Sequence, residues 1–209
     1  MTHFVSLIDP DEAQTPIALP KTTREQLQLV FHDLDDVEMN ISKFRRYDPP
    51  LPEHVERIVA FGKRMAPLSD WGLLAHCEAG ISRSSAAAIT LLVAAGYHPG
   101  QAFGLVRRVC PEMLPNRRIL RLADDILGTG GLMHRMADNY RRKAFGRAGY
   151  EDPTNVLLAK ELEQQNGLWK MIQRFLRVLG WKHHLAIGTG AAMRGVHLAE
   201  RGRRANRGA

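Results

Sequence analysis

Hydrophobic and polar positions along this chain change their rhythm about two thirds of the way through. Up to residue 134, short apolar runs alternate with longer stretches of helical period. His3 to Ile8 predicts a short strand, ended by Asp9-Pro10, and Gln26 to Phe31 predicts a second. Residues 33–52 follow neither period. They hold an acidic cluster (Asp33, Asp35, Asp36, Glu38), a basic trio (Lys43, Arg45, Arg46) and the Asp48-Pro49-Pro50 break. Pro52 then opens a helix that carries Val55, Ile58, Val59 and Gly62 on one face. Leu73 to His76 reads as a buried strand. Ser84 to Ala95, apolar nearly all round, predicts a centrally packed helix stopped by Gly96. Pro99 starts a helix to about Val109, and Pro115 starts another to about Leu127, closed by Gly128.

Strands separated by helices imply an α/β fold with a central, mainly parallel sheet flanked by helices. Such sheets hold ligands at the carboxyl ends of their strands. Gly128-Thr129-Gly130-Gly131 marks an expected domain end, and charge agrees with it. Residues 1–134 hold 14 Lys+Arg against 16 Asp+Glu, whereas residues 135–209 hold 15 against 6. The excess behind the net charge of +7 therefore belongs to the second segment. Two units follow: 1–134, and a basic, partly helical extension over 135–209.

The chemistry concentrates in His76-Cys77-Glu78-Ala79-Gly80-Ile81-Ser82-Arg83-Ser84-Ser85, between the apolar run Trp71 to Ala75 and the alanine-rich helix. Five residues separate Cys77 from Arg83, enough to curl the backbone into a cup. The amides of Glu78, Ala79, Gly80, Ile81, Ser82 and Arg83, with the helix N-terminus behind them, would converge on an anion. The same field favours a thiolate and makes Cys77 a candidate nucleophile. Arg83 supplies a planar fork suited to two phosphate oxygens. Gly80 permits a close backbone approach, or a left-handed backbone, at the tip of the loop.

This decapeptide resembles the signature loop of the cysteine-dependent protein tyrosine phosphatases. It is most similar to the dual-specificity-like branch and its short bacterial tyrosine phosphatase-like members. His3 to Pro10, Phe31-His32-Asp33-Leu34, Pro115-Asn116-Arg117-Arg118 and Ala123 to Gly128 fit the same group, so the resemblance spans roughly residues 3 to 134. It implies a phosphatase-type fold and a metal-independent phosphomonoester hydrolase that works through a phosphocysteine intermediate, with no cofactor. Under it, Ser84 assists departure of the cysteine sulfur, His76 shapes the loop, and Asn116 braces neighbouring loops. An aspartate on a separate loop protonates the leaving oxygen. Asp33 fits that pattern best, although it lies 44 residues before Cys77, a gap that an insertion over 37–50 would explain. Asp35, Asp36 and Asp48 are the alternatives. Cys110 reads as a buried helix-end thiol rather than a redox partner of Cys77.

Phosphoinositide phosphatases of this superfamily carry lysines inside the loop, where this chain has Glu78, Ala79 and Ile81. Acidity at the mouth disfavours polyphosphorylated ligands. A phosphotyrosine-containing protein, or a small aryl or alkyl phosphate, is the expected substrate. The alternative is a module that binds phosphate or phosphoprotein on the same fold with little turnover.

In the extension, Leu168, Ile172, Phe175, Leu176 and Leu179 recur at helical spacing opposite Lys170, Arg174 and Arg177. This basic amphipathic helix suits packing on the catalytic unit or on a second subunit, or else an anionic membrane surface or acidic partner. From Arg201 onward the chain reads as disordered, and nucleic acid is not the expected partner. No apolar run approaches the roughly 20 residues that span a bilayer. Two cysteines, no evident secretory leader and an ordinary 44% hydrophobic content point to a reducing, cytoplasmic setting.

Overall fold

A computed structural model describes residues 2–12, 19, 21–36, 38–40, 44, 46–147 and 195–201. Three parallel strands, β1 (His3–Ile8), β2 (Glu25–Val30) and β3 (Asp70–His76), form a sheet in the order β2-β1-β3. Segment β4 (Gly195–Arg201) pairs antiparallel along the other edge of β3. The helices are α1 (Pro52–Met65), α2 (Arg83–Ala94), α3 (Pro99–Val109), α4 (Arg117–Leu127) and α5 (Leu132–Arg147).

Strand alternation decides what the helices cover. Val5 and Leu7 of β1 lie in register with Leu27 and Leu29 of β2, and Val5 also pairs with Ala75 of β3. All five belong to one core with Val55, Ile58, Val59 and Phe61 of α1 and Ile89, Leu91 and Leu92 of α2. Helix α2 is the centre of this layer: every residue from Arg83 to Leu92 is buried, the outcome its uniformly apolar sequence predicted. Gly62 allows α1 to lie against it. A Cβ at that position would stand 2.6 Å from the Leu91 carbonyl oxygen and 2.8 Å from the Ala94 Cβ.

Several boundaries differ from expectation. Helix α4 starts at Arg117, not Pro115, because the Asn116 side chain accepts from the Ile119 N–H and so makes residue 116 the cap. β3 begins three residues early, its first residues paired with β4. Helical packing also continues past residue 134. In α5, Met133, Ala137 and Phe145 are buried, and Asp124 at the end of α4 receives the Met133 and His134 N–H groups and the Thr129 hydroxyl. The expected helix over 168–179 and the tail after Arg201 lie outside the described residues. Among the described residues, no helix is long and apolar enough to cross a membrane.

Candidate active site

β3 delivers Cys77 to the carboxyl edge of the sheet, and α2 starts six residues later at Arg83. Between them Gly80 takes φ +73°, the left-handed region expected of it. The loop is braced from behind by residues 110–116. The Leu114 N–H donates to the Ile81 carbonyl at 3.2 Å, the Asn116 N–H to the Ser82 carbonyl at 3.3 Å, and the Cys110 thiol reaches the Gly80 carbonyl at 3.6 Å. The Ser85 hydroxyl returns to the Ser82 carbonyl at 2.9 Å.

Ser82 occupies the cap position of α2, yet its hydroxyl makes no capping bond to that helix. It donates instead to Asp33 Oδ1 at 2.7 Å. No side chain of the cap thus covers the N–H groups of the first turn of α2, an arrangement that suits an anion. Cys77 is 5% exposed, and its Sγ lies 3.3 Å from Ser84 Oγ, within hydrogen-bonding distance.

Arg83 is the largest fully buried side chain described, 2% exposed. Its Nη1 donates to Asp9 Oδ1 at 2.7 Å and to the Phe31 carbonyl at 2.8 Å. Its Nε lies 3.9 Å from Asp33 Oδ2, beyond hydrogen-bond reach, and has no acceptor. Burial favours loss of the guanidinium proton, but Asp33, Asp9 and Cys77 outweigh it and hold the pKa above the usual value. A buried cation therefore keeps one N–H without a partner, an arrangement that calls for an anionic acceptor.

Of the four candidate acids, Asp33 is bonded to the loop, through Ser82. Asp35 is gripped by Arg117, and Asp36 by Arg118 at 2.5 Å and Arg121 at 2.6 Å. For Asp36, burial raises the pKa, but the hydrogen bonds and charges of Arg121 and Arg118 prevail and lower it. These two carboxylates clamp the acidic segment onto the first turns of α4. Asp48 is exposed, and its backbone bonds His32 twice: its N–H to the ring nitrogen at 3.0 Å and its carbonyl to the His32 N–H at 2.7 Å. The irregular excursion after Asp33 is thereby pinned at its base.

His76 sits at the end of β3, its ring tilted against Phe4, and its buried Nε2 has no hydrogen-bond partner. Burial and then the Arg83 charge hold its pKa below the usual value, so it stands neutral beside Cys77. Asn116, 3% exposed, links α4 to the segment after β2. Its Nδ2 donates to Asp33 Oδ1 at 2.8 Å and to the Leu34 carbonyl at 3.1 Å. Burial, then Glu112 and Cys77, push the Cys110 thiol up to about 12, so it stays protonated. Among the described residues, no group of three or more His, Cys, Asp or Glu is arranged to hold a metal ion.

Asp9 was missed as a site residue. The available signal was positional: a carboxylate directly after an apolar strand, at the same end of the parallel sheet as the loop.

Comparison with protein-family models, curated proteins and solved structures finds no match to this chain.

Proposed function

We propose that the chain is a metal-independent phosphomonoester hydrolase of the cysteine-dependent tyrosine phosphatase type, acting through a phosphocysteine intermediate. The observation that carries this reading is Arg83: buried, charged and short of one acceptor, at the first residue of α2 and six residues after Cys77. A bound phosphoryl group supplies that acceptor, and the amides at the start of α2 meet its remaining oxygens.

In the first step Cys77 Sγ bonds to phosphorus while the ester P–O bond breaks, and Asp33 protonates the departing oxygen. In the second, water bonds to phosphorus, Asp33 takes its proton, and the P–S bond breaks with the electron pair returning to sulfur. Ser84, 3.3 Å from that sulfur, stabilises it as it leaves. Arg83 and the loop amides hold charge on the equatorial oxygens throughout, work that in other phosphatases a metal ion performs.

The substrate in this reading is a phosphotyrosyl protein or a small aryl or alkyl phosphate, because the loop offers Glu78, Ala79 and Ile81 where a polyphosphate would need cations. The test is steady-state hydrolysis of an aryl phosphate and a phosphotyrosine peptide, with chelator present, by the reduced protein and by Cys77→Ser. Turnover that disappears in the variant supports the reading. Turnover that persists in the variant, or none by the folded wild type, overturns it.

A further inference from the structure

We propose that Asn116 and Ser82 are positioning residues that select which oxygen of Asp33 carries the catalytic proton, an inference that rests on the phosphatase reading above.

Asn116 is held in one orientation by its surroundings. Its Oδ1 accepts from the Ile119 N–H at 3.0 Å, so its Nδ2 must face the other way, toward Asp33 Oδ1 at 2.8 Å and the Leu34 carbonyl at 3.1 Å. A flipped amide would set two donors against one another at Ile119 and an acceptor against a carboxylate at Asp33. The side chain is buried, and all three of these bonds are to groups fixed by α4 or by the segment after β2.

Asp33 Oδ1 therefore receives two donors, Asn116 Nδ2 at 2.8 Å and Ser82 Oγ at 2.7 Å. A carboxylate oxygen has two in-plane lone pairs, and here both are occupied. A proton placed on Oδ1 would face the Asn116 amide, which can only donate, and would force the Ser82 hydroxyl to turn from donor to acceptor. In the acid form Oδ1 is thus the carbonyl-type oxygen and Oδ2 the hydroxyl. Oδ2 is the oxygen on the Arg83 side, 3.9 Å from its Nε. With a phosphoryl group on Arg83, the Oδ2 proton faces the ester oxygen and transfers to it as the P–O bond breaks. The return step is the reverse transfer, from water to Oδ2. Ser82 adds a second consequence. Because it belongs to the anion-binding loop, the acid is tied to the cup rather than carried on an independent lid.

The test separates this role from the helix cap that Asn116 also forms. Asn116→Ser and Asn116→Asp both keep a side-chain oxygen for the Ile119 N–H but lose the donation to Asp33. Rates are compared along a series from a dinitrophenyl phosphate, which needs little proton assistance, to an alkyl phosphate, which needs most, beside Ser82→Ala and Asp33→Asn. A general acid supplies roughly 10²–10⁴-fold, and loss of its orientation should remove about tenfold or more of that for the alkyl ester. The loss should shrink steadily toward the dinitrophenyl ester, and Asn116→Ser should add little to Asp33→Asn. A loss of equal size for every leaving group, or full additivity with Asp33→Asn, overturns the positioning role and leaves the phosphatase reading standing. Absence of hydrolysis by the wild type overturns both.

Discussion

Removal of the Asp9 carboxylate should expose how far the buried Arg83 depends on it. Asp9→Ala deletes the 2.7 Å bond to Nη1 and the 3.5 Å contact to Nη2, leaving the Phe31 carbonyl and the more distant Asp33. Arg83 is 2% exposed and cannot turn out to water, whereas the Asp9 side chain is 23% exposed and already part-solvated. Breaking a fully buried pair costs about 3–5 kcal/mol, mostly as the penalty of the charge left behind; partial exposure of one partner lowers the expectation to about 2–4 kcal/mol. Urea unfolding followed by circular dichroism reads this as a lower midpoint with an unchanged slope. Because the penalty belongs to the orphaned guanidinium, Arg83→Met in the Asp9→Ala background should restore about half of the loss or more. A single-variant cost below about 1 kcal/mol, or strict additivity in the double variant, would refute the claim that Asp9 neutralises a buried cation.

Three further outcomes follow from local geometry. Gly62→Ala should destabilise by about 1–3 kcal/mol, because the new methyl meets the Leu91 carbonyl and Ala94, and the better helix propensity of alanine does not offset a backbone clash; an unchanged melting temperature contradicts this. Glu38 has its pKa raised from 4.5 to about 7 by burial and then by the Asp35 charge, with Asp33 adding to it. The folded state therefore holds this proton more tightly than the unfolded chain. The resulting stability is complete below pH 4.5 and is lost as pH rises through about 7. Glu38→Gln should remove that component, and an identical stability–pH curve for both proteins would dismiss it. Finally, Cys110, protonated at neutral pH, should resist iodoacetamide in the folded protein while Cys77 reacts. Peptide mapping that finds Cys110 alkylated first would contradict the raised pKa that keeps its thiol protonated.

What could be read from sequence was set by local signals. Pro99 at the first helical position, with His98 accepting from the Gly100 N–H, fixes the start of α3 where the pattern predicted it. The apolar run before Cys77 and the alanine-rich run after it gave β3 and α2, and hence a loop at the carboxyl edge of a parallel sheet. What stayed hidden depends on partners far away in sequence. Asp35 and Asp36 stood as alternatives to Asp33 in the sequence; their partners Arg117, Arg118 and Arg121 lie on α4, more than 80 residues later. Gly128 to Gly131 looked like a domain end because glycines punctuate chains. In the structure Gly128 takes φ +68° and Asp124 receives the Met133 and His134 N–H groups of α5. β4 was equally invisible, since its pairing partner on β3 is more than 100 residues away.

The most direct test of the central claim is to mix the protein with a labelled aryl phosphate, quench in acid within one turnover and map the labelled peptide. Phosphate bonded to the peptide that contains Cys77, and absent from Cys77→Ser, is the expected result. Label on another residue, or turnover by the wild type with no covalent adduct at all, would contradict it.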